Sequence, residues 1–410
     1  MMAKDQRQSA WTDLQPDLLL LVLHHLTSLL DRVRAGAVCR SWRTASSLLP
    51  PTRLPWVVFG DGTLFDLAND SALHPHYRLR LPDDCWRYSA GENMMFLAHQ
   101  RDGSCSLINA LSGARTDLPE LAAMLRYVNL WHRKPNELRR TPHDPHDPTM
   151  AIGKVVLSSA PDDPIVAVLL KNKIFVSTCR PAGESNSCLV VLAHEAVDIA
   201  LFQGQIYALS TSHVLKNLNL INGHLDKPTP PGVEPKLRCG LDLIKNPWSW
   251  QQHEQDEEDV FKQDEEDIFA DPLVELYLVE SGGKLLMVKR WLRHPWMPCF
   301  PEGRRTFCLQ VWEADMSEGQ WRKLDGSLEG RALFVSRSCS KSLPAGHGVR
   351  EDCIYFLKNL YVPRKPNAPL GDFGVYNVRD KTFTPLLRES MPLLPWKSGR
   401  FPSWFFHGQV

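Results

Sequence analysis

The apolar positions of this chain change their period once, near residue 50. From Leu14 to Leu49, nineteen of 36 residues are apolar and eleven are leucine, with Leu18 to Leu23 an unbroken apolar run. Thr12 or Asp13 suits an entry cap and Pro16 a first helical position, so Leu18 to Leu26 reads as a helix that is apolar on nearly every face. A second short helix fits Leu29 to Ala35, with Gly36 as a break. In a third, Val38, Cys39, Trp42 and Ala45 form a helical stripe while Arg40 and Arg43 take the other side, and Pro50-Pro51 stop it. Three helices in about 40 residues cannot bury the first helix on all sides by themselves. Something else must cover it, either the rest of this chain or another protein.

Beyond Thr52 the apolar runs become short and alternate with polar positions, as strands require. Such runs are Trp56 to Phe59, Leu64 to Leu67, Met94 to Ala98, Ile152 to Leu157, Val166 to Leu170, Ile174 to Ser177, Leu189 to Leu192, Val197 to Phe202, Ile206 to Leu209, Val274 to Val279, Leu285 to Val288, Phe307 to Trp312, Ala332 to Ser336 and Cys353 to Leu357. Two local units recur. A small turn leads into an apolar strand at Asp61-Gly62, Gln203-Gly204, Gly282-Gly283 and Glu351-Asp352, and an alternating strand runs into a polar turn at Leu107–Gly113, Leu218–Gly223, Val311–Ser317 and Val375–Lys381. Hairpins recurring in this way predict a mainly β chain and a β-propeller, and at about 40–50 residues per blade the length allows six to eight blades. A pair of β-sandwich domains is the alternative. A propeller ring must close, and Trp404-Phe405-Phe406 is an apolar terminal segment that could pair near the first strands.

Composition agrees with the β reading, since 31 prolines and 24 glycines interrupt long helices. No apolar run approaches the about 20 residues of a membrane-spanning helix. The first residues lack the apolar core of a secretory signal, which gives an expected home in the cytoplasm or nucleus. Ten cysteines, no two closer than nine positions, form no zinc knuckle and read as reduced thiols. The 47 Lys and Arg equal the 47 Asp and Glu, which argues against a nucleic-acid partner. That balance is a cancellation: Glu254 to Asp267 holds nine acids and one lysine, so the remainder carries +8. The stretch 252–270 reads as an acidic, disordered loop, with Phe261 and Phe269 as candidate docking side chains. Arg126, Arg133, Lys134, Arg139 and Arg140 form a milder basic patch.

Candidate chemistry is thin. His143-Asp144-Pro145-His146-Asp147 alternates metal-ligating groups, but its prolines spread successive side chains and no second cluster completes a coordination sphere, so no metal is expected. No phosphate-binding glycine loop, dinucleotide fingerprint, zinc-protease helix or nucleophile elbow occurs, and neither a cofactor nor catalysis is expected.

Leu14-Gln15-Pro16-Asp17-Leu18-Leu19, then Val22-Leu23, Leu26, Leu29-Leu30-Asp31-Arg32 and Val38-Cys39-Arg40-Ser41-Trp42-Arg43 resemble the F-box, the helical motif by which substrate receptors dock onto the adaptor of cullin–RING (SCF) ubiquitin ligases. Gln15 stands where that family usually has proline, and Pro16 takes its place. The resemblance implies an F-box over 11–50, with Leu14, Pro16, Leu18, Leu19, Val22, Leu26, Val38, Cys39 and Trp42 as adaptor-binding and core positions, Trp42 on the core side. Phe307 to Asp315, Trp321 to Leu324, Gly330 to Val335, Gly348 to Phe356 and Gly374 to Val378 look like the plant F-box family whose C-terminal domain of unknown function is a KIB-type, kelch-like β-propeller. What this implies is a three-helix F-box followed by a substrate-recognition propeller over 55–410: a non-catalytic receptor that holds the adaptor, reaches the cullin through it, and binds an unidentified protein substrate. An F-box scaffold or inhibitor that acts without a cullin, and a propeller enzyme with merely structural N-terminal helices, stay open.

Overall fold

In the computed structural model the described residues are 14–25, 35–48, 54–59, 62–67, 79, 81–82, 85–99, 102–119, 121–123, 152–158, 165–170, 173–178, 187–191, 196–218, 220–221, 224–225, 272–293, 304–346, 348–357, 372–386 and 402–406. Leu26, nearly all of the expected helix Leu29 to Ala35, the His143 to Asp147 segment, the basic patch and the acidic stretch lie outside them.

Two helices are described at the N-terminal end, α1 (Pro16–His25) and α2 (Arg40–Ser47). Asp17 in the first turn of α1 complements the helix dipole. Twenty-five strands follow among the described residues, and each run predicted from the alternating pattern falls on one of them. Blade 1 is β3 (Cys85–Ser89), β4 (Met94–His99), β5 (Cys105–Asn109) and β6 (Arg115–Asp117); blade 2 is β7 (Ile152–Leu157), β8 (Ile165–Leu170), β9 (Lys173–Thr178) and β10 (Ser187–Val191). Blade 3 has β11 (Ala196–Phe202), β12 (Gln205–Ser210) and β13 (Leu215–Asn217), followed by the small pair β14 (Leu220–Ile221) and β15 (His224–Leu225). Blade 4 is β16 (Leu273–Ser281), β17 (Lys284–Leu292), β18 (Thr306–Asp315) and β19 (Gln320–Lys323). Blade 5 has the order β21-β20-β22-β23-β24, from β20 (Arg331–Val335), β21 (Ser340–Pro344), β22 (Cys353–Phe356), β23 (Gly374–Asn377) and β24 (Thr382–Pro385), with β20 and β22 parallel.

The remaining sheet joins the two ends of the β region. Strand β1 (Trp56–Val58) lies between β2 (Leu64–Asp66) and β25 (Ser403–Phe405), with Val57 opposite Trp404. The expected closure by the terminal aromatic segment is therefore present. Apolar layers run around the whole ring: blades 1 and 2, 2 and 3, 3 and 4, and 4 and 5 each share a core, and the closing sheet shares one with blade 5 and another with blade 1. The molecule is thus a mainly β propeller. Its five blades of locally connected strands correct the expectation of six to eight. Dividing by length assigned every residue after 50 to a blade, whereas the closing sheet takes one place in the ring and long connections separate the strands.

The recurring sequence units prove to be recurring geometry. Gln203-Gly204 and Gly282-Gly283 both have positive φ at the two central positions and join the first two strands of blades 3 and 4, a turn whose twist matches that of the strands it links. At the ends of β5, β18 and β23, Asn109, Asp315 and Asn377 each accept, through Oδ1, the N–H groups two and three residues on. Glu351-Asp352 differs, because it enters the strand that pairs in parallel with β20 rather than closing a hairpin.

Candidate functional site

The two helices make a small core of their own. Leu19, Leu23, Ala35 and Ala45 are buried together, and Leu14, Leu20 and Trp42 pack against them. Leu19 and Leu23 are one turn apart, so they present a single stripe. A helix apolar on several sides can turn only one of them inward here, and the consequence lies opposite. Leu18, Leu21 and Val22 on α1 are 50%, 59% and 36% exposed, with Val38 and Leu48 beside α2 at 61% and 67%. Exposed apolar side chains grouped in this way mark an interaction surface, whereas single ones are ordinary.

The expected site residues separate accordingly. Leu18, Val22 and Val38 are exposed, and Pro16 opens α1 at the surface. Leu19 is core; Leu14 and Trp42 are half-buried against it, Trp42 on the packing side as expected. Cys39 is the N-cap of α2, with extended backbone, and its thiol contacts the Ser41 hydroxyl at 3.0 Å. That hydrogen bond, with the Trp42 backbone amide, holds the Cys39 thiol below its ordinary pKa. Arg43 reaches back to the Gly36 carbonyl at 3.4 Å and ties α2 to the preceding turn. Two exposed residues were not among those expected, Leu21 and Leu48. Leu21 follows Leu18 by three positions, and that spacing alone could have placed it on the same face.

Within the propeller two charged clusters are buried between blades. Lys154 on β7 contacts Asp198 Oδ2 on β11 at 2.8 Å and the Leu278 carbonyl on β16 at 3.1 Å, while Leu278 N–H donates to the same Asp198 oxygen at 2.6 Å. Both charged residues sit where a β-bulge shifts the strand register, which re-aims their side chains along the neighbouring first strands of blades 2, 3 and 4. Burial pushes the Asp198 carboxyl up, against the pull of Lys154 and two backbone amides. Arg290 on β17 is fully buried, bonded to Asp372 Oδ2 at 2.8 Å and to the Leu357 carbonyl at 2.7 Å, and lies over the Phe356 ring. Asp372 Oδ1 also takes the backbone amides of Arg305 and Thr306, and its carboxyl ends below the usual range because the Arg290 charge and these donors outweigh burial. Lys154, Asp198, Arg290 and Asp372 are themselves buried and join blades, and at its edge the second cluster reaches the partly exposed Glu275, 3.3 Å from Arg290. Cys339 and Cys353 are buried and burial raises both thiols, the condition of inert cysteines. Among the described residues no group of three His, Cys, Asp or Glu side chains could hold a metal ion, and no helix is long and apolar enough to cross a membrane.

Comparison with known proteins bears on fold and family. The sequence model of the KIB1-4 beta-propeller matches residues 16–377. No curated protein is similar enough to match. Among solved structures, the S. cerevisiae assembly of dbp5 bound to nup159 and gle1 contains a chain 9% identical at a TM-score of 0.23; 72% of the present chain is covered, and it spans only 63% of that chain. The N-terminal domain of Nup159 is 9% identical at a TM-score of 0.31, with 85% and 80% covered. A protein of unknown function from Bacteroides thetaiotaomicron is 10% identical at 0.26, with 80% and 74% covered. These structural likenesses are too weak to carry any argument about the site.

Proposed function

Because the chain belongs to the KIB1-4 β-propeller family, a fold suited to binding protein, we propose that it is the substrate receptor of an SCF-type ubiquitin ligase. The observation that carries this reading is the divided apolar surface of the N-terminal helices. Leu19 and Leu23 build their own core with Ala35 and Ala45, which leaves Leu18, Leu21, Val22 and Val38 facing solvent within a segment that resembles the F-box. In this reading residues 11–50 hold the ligase adaptor and the propeller over 55–410 holds a protein substrate. The chain does no bond-making chemistry. It raises the effective concentration of substrate lysines near the ubiquitin-conjugating enzyme by joining two binding events on one chain. A rigid substrate-binding propeller suits that task, and the Lys154–Asp198 and Arg290–Asp372 contacts support it by linking blades through buried charge.

Co-expression with the adaptor tests the proposal, comparing the native chain with a Leu18→Asp/Val38→Asp double variant. Both positions are exposed, so the substitutions leave the helix core in place. The native chain is expected to co-purify with the adaptor and the variant to lose it. A native chain that fails to retain the adaptor, or a variant that retains it equally, sinks the reading. Recruitment of a cullin by the complex, with ubiquitin transfer, then separates a receptor from a scaffold that acts without one.

A further inference from the structure

The first half of β16 has an open backbone edge. The strand ends the order of its sheet, so β17 alone pairs with it. Gly282-Gly283 close the hairpin with Ser281 opposite Lys284, and a two-residue loop makes that a hydrogen-bonded pair. The register runs back to Leu273 without a shift, so Ser281, Val279, Tyr277, Glu275 and Leu273 bond to β17. Leu278, Leu276 and Val274 therefore turn their N–H and C=O groups outward. Leu278 bears this out: its N–H donates to Asp198 of blade 3 and its carbonyl accepts from Lys154 of blade 2. No described residue does the same for Leu276 or Val274. The neighbouring first strands stop short of them, since β16 has five residues before Leu278 whereas β7 has two before Lys154 and β11 two before Asp198. Val274 is 41% exposed, and Val197, the extra residue of the β11 bulge, is 36% exposed.

Donor and acceptor groups repeating every second residue, about 7 Å apart, are matched by another extended backbone, which bonds at the same spacing. Outer edges elsewhere carry the usual safeguards against such pairing: β6 is charged at Arg115 and Asp117, β19 at Arg322 and Lys323, and β24 ends on Pro385. The outward positions of β16 are valine and leucine instead. We infer that an extended segment of the protein substrate adds to this edge as a further strand, bonded to the backbone of Val274 and Leu276, with an apolar side chain set against Val274 and Val197. The backbone bonds supply affinity for any extended chain, so the two valines supply the preference among sequences. That the segment belongs to a substrate rests on the receptor reading; that the edge takes an extended peptide does not.

The test uses the full purified chain and, as probe, a displayed library of random peptides about seven residues long. Selected peptides should be rich in alternating apolar residues and, made synthetically, should bind Val274→Pro about fivefold or more weakly than the native chain, the loss of at least one hydrogen bond. Proline at 274 removes an outward N–H that β17 does not use, so the hairpin is retained and the thermal midpoint should stay within a few degrees of the parent's. Failure to select any peptide, or selected peptides that bind Val274→Pro as tightly as the native chain, overturns the inference. Should the variant not fold, N-methylated peptides decide on the native chain. Methyl groups on one alternate set of peptide nitrogens should abolish binding and on the other set leave it; equal effects of the two sets overturn the inference. Adaptor co-purification separates the two proposals. A chain that holds the adaptor but selects no such peptide loses the β16 site and keeps the docking reading, whereas one that selects the peptides without holding the adaptor keeps the site and loses the receptor reading.

Discussion

His213 shows how one residue can couple the stability of an interface to pH. It sits in the turn between β12 and β13 with φ of 61°, a left-handed conformation that favours asparagine over most side chains. Its carbonyl accepts the Trp321 indole N–H of the next blade at 2.9 Å. Burial, with the Lys289 charge nearby, lowers its imidazole pKa from the usual 6.5 to about 4. The unfolded chain therefore takes up a proton as pH falls through 6.5, while the folded chain resists until about 4. Between those values protonation favours the unfolded state, and stability falls as pH falls. His213→Asn keeps the backbone conformation and the carbonyl but has no proton to take up. It is expected to match the parent in urea unfolding at pH 8 and to be the more stable of the two at pH 5. Equal losses on acidification would show that His213 is not the titrating group.

At the scale of the element, close packing sets what a strand tolerates. Gly374 opens β23 beneath the Phe356 ring, and a methyl group built there would meet Phe356 Cζ at 2.5 Å. Phe356 is fully buried in the layer between blades 4 and 5 and lies under the Arg290 guanidinium, so it cannot move aside cheaply. Gly374→Ala is expected to destabilise the protein by about 1–3 kcal/mol through this overpacking, read as a lowered urea midpoint. Elements of this kind were unevenly visible in the sequence. Strands with a long apolar run announced themselves, and β7 has the predicted bounds, Ile152 to Leu157. Strand β21 did not: Ser340, Lys341, Ser342 and Pro344 are polar or turn-like, yet Ser342 is buried where its hydroxyl meets Ser281 of β16 at 2.8 Å. Strand β6 is exposed throughout and carries an Arg115–Asp117 ion pair, so no alternation marked it. The candidate face was legible as an excess of leucine on α1. Which leucines turn inward depends on Ala35, Ala45 and Trp42, and so could not be taken from the run itself.

For the whole molecule the decisive contacts join residues far apart in the chain, which is why ring closure was foreseen only as an apolar tail and the charge locks were not foreseen at all. Lys154 and Asp198 are 44 positions apart, Arg290 and Asp372 are 82 apart, and no local pattern relates either pair. Closure depends on β25. Trp404 and Phe405 are fully buried and nearly so is Phe406; Trp404 donates its indole N–H to the Val335 carbonyl at 3.0 Å and meets the Phe334 ring edge-on. Phe405 stacks on Trp56 and belongs to the layer shared with blade 1, while Trp404 and Phe406 belong to the layer shared with blade 5. One short strand thus fills two cores at once. Deleting a large aromatic from a core costs about 3–5 kcal/mol, and a native domain holds only about 5–15 kcal/mol in all. Truncation after Pro402 removes all three aromatics together and exposes the edge of β1. The truncated chain is expected to lose its cooperative thermal transition, whereas Trp404→Phe, which keeps most of the volume and loses the indole hydrogen bond, should lower the midpoint by only a few degrees. A truncated chain that melts at the parent's temperature would mean that the five blades hold together without the strand that joins their ends.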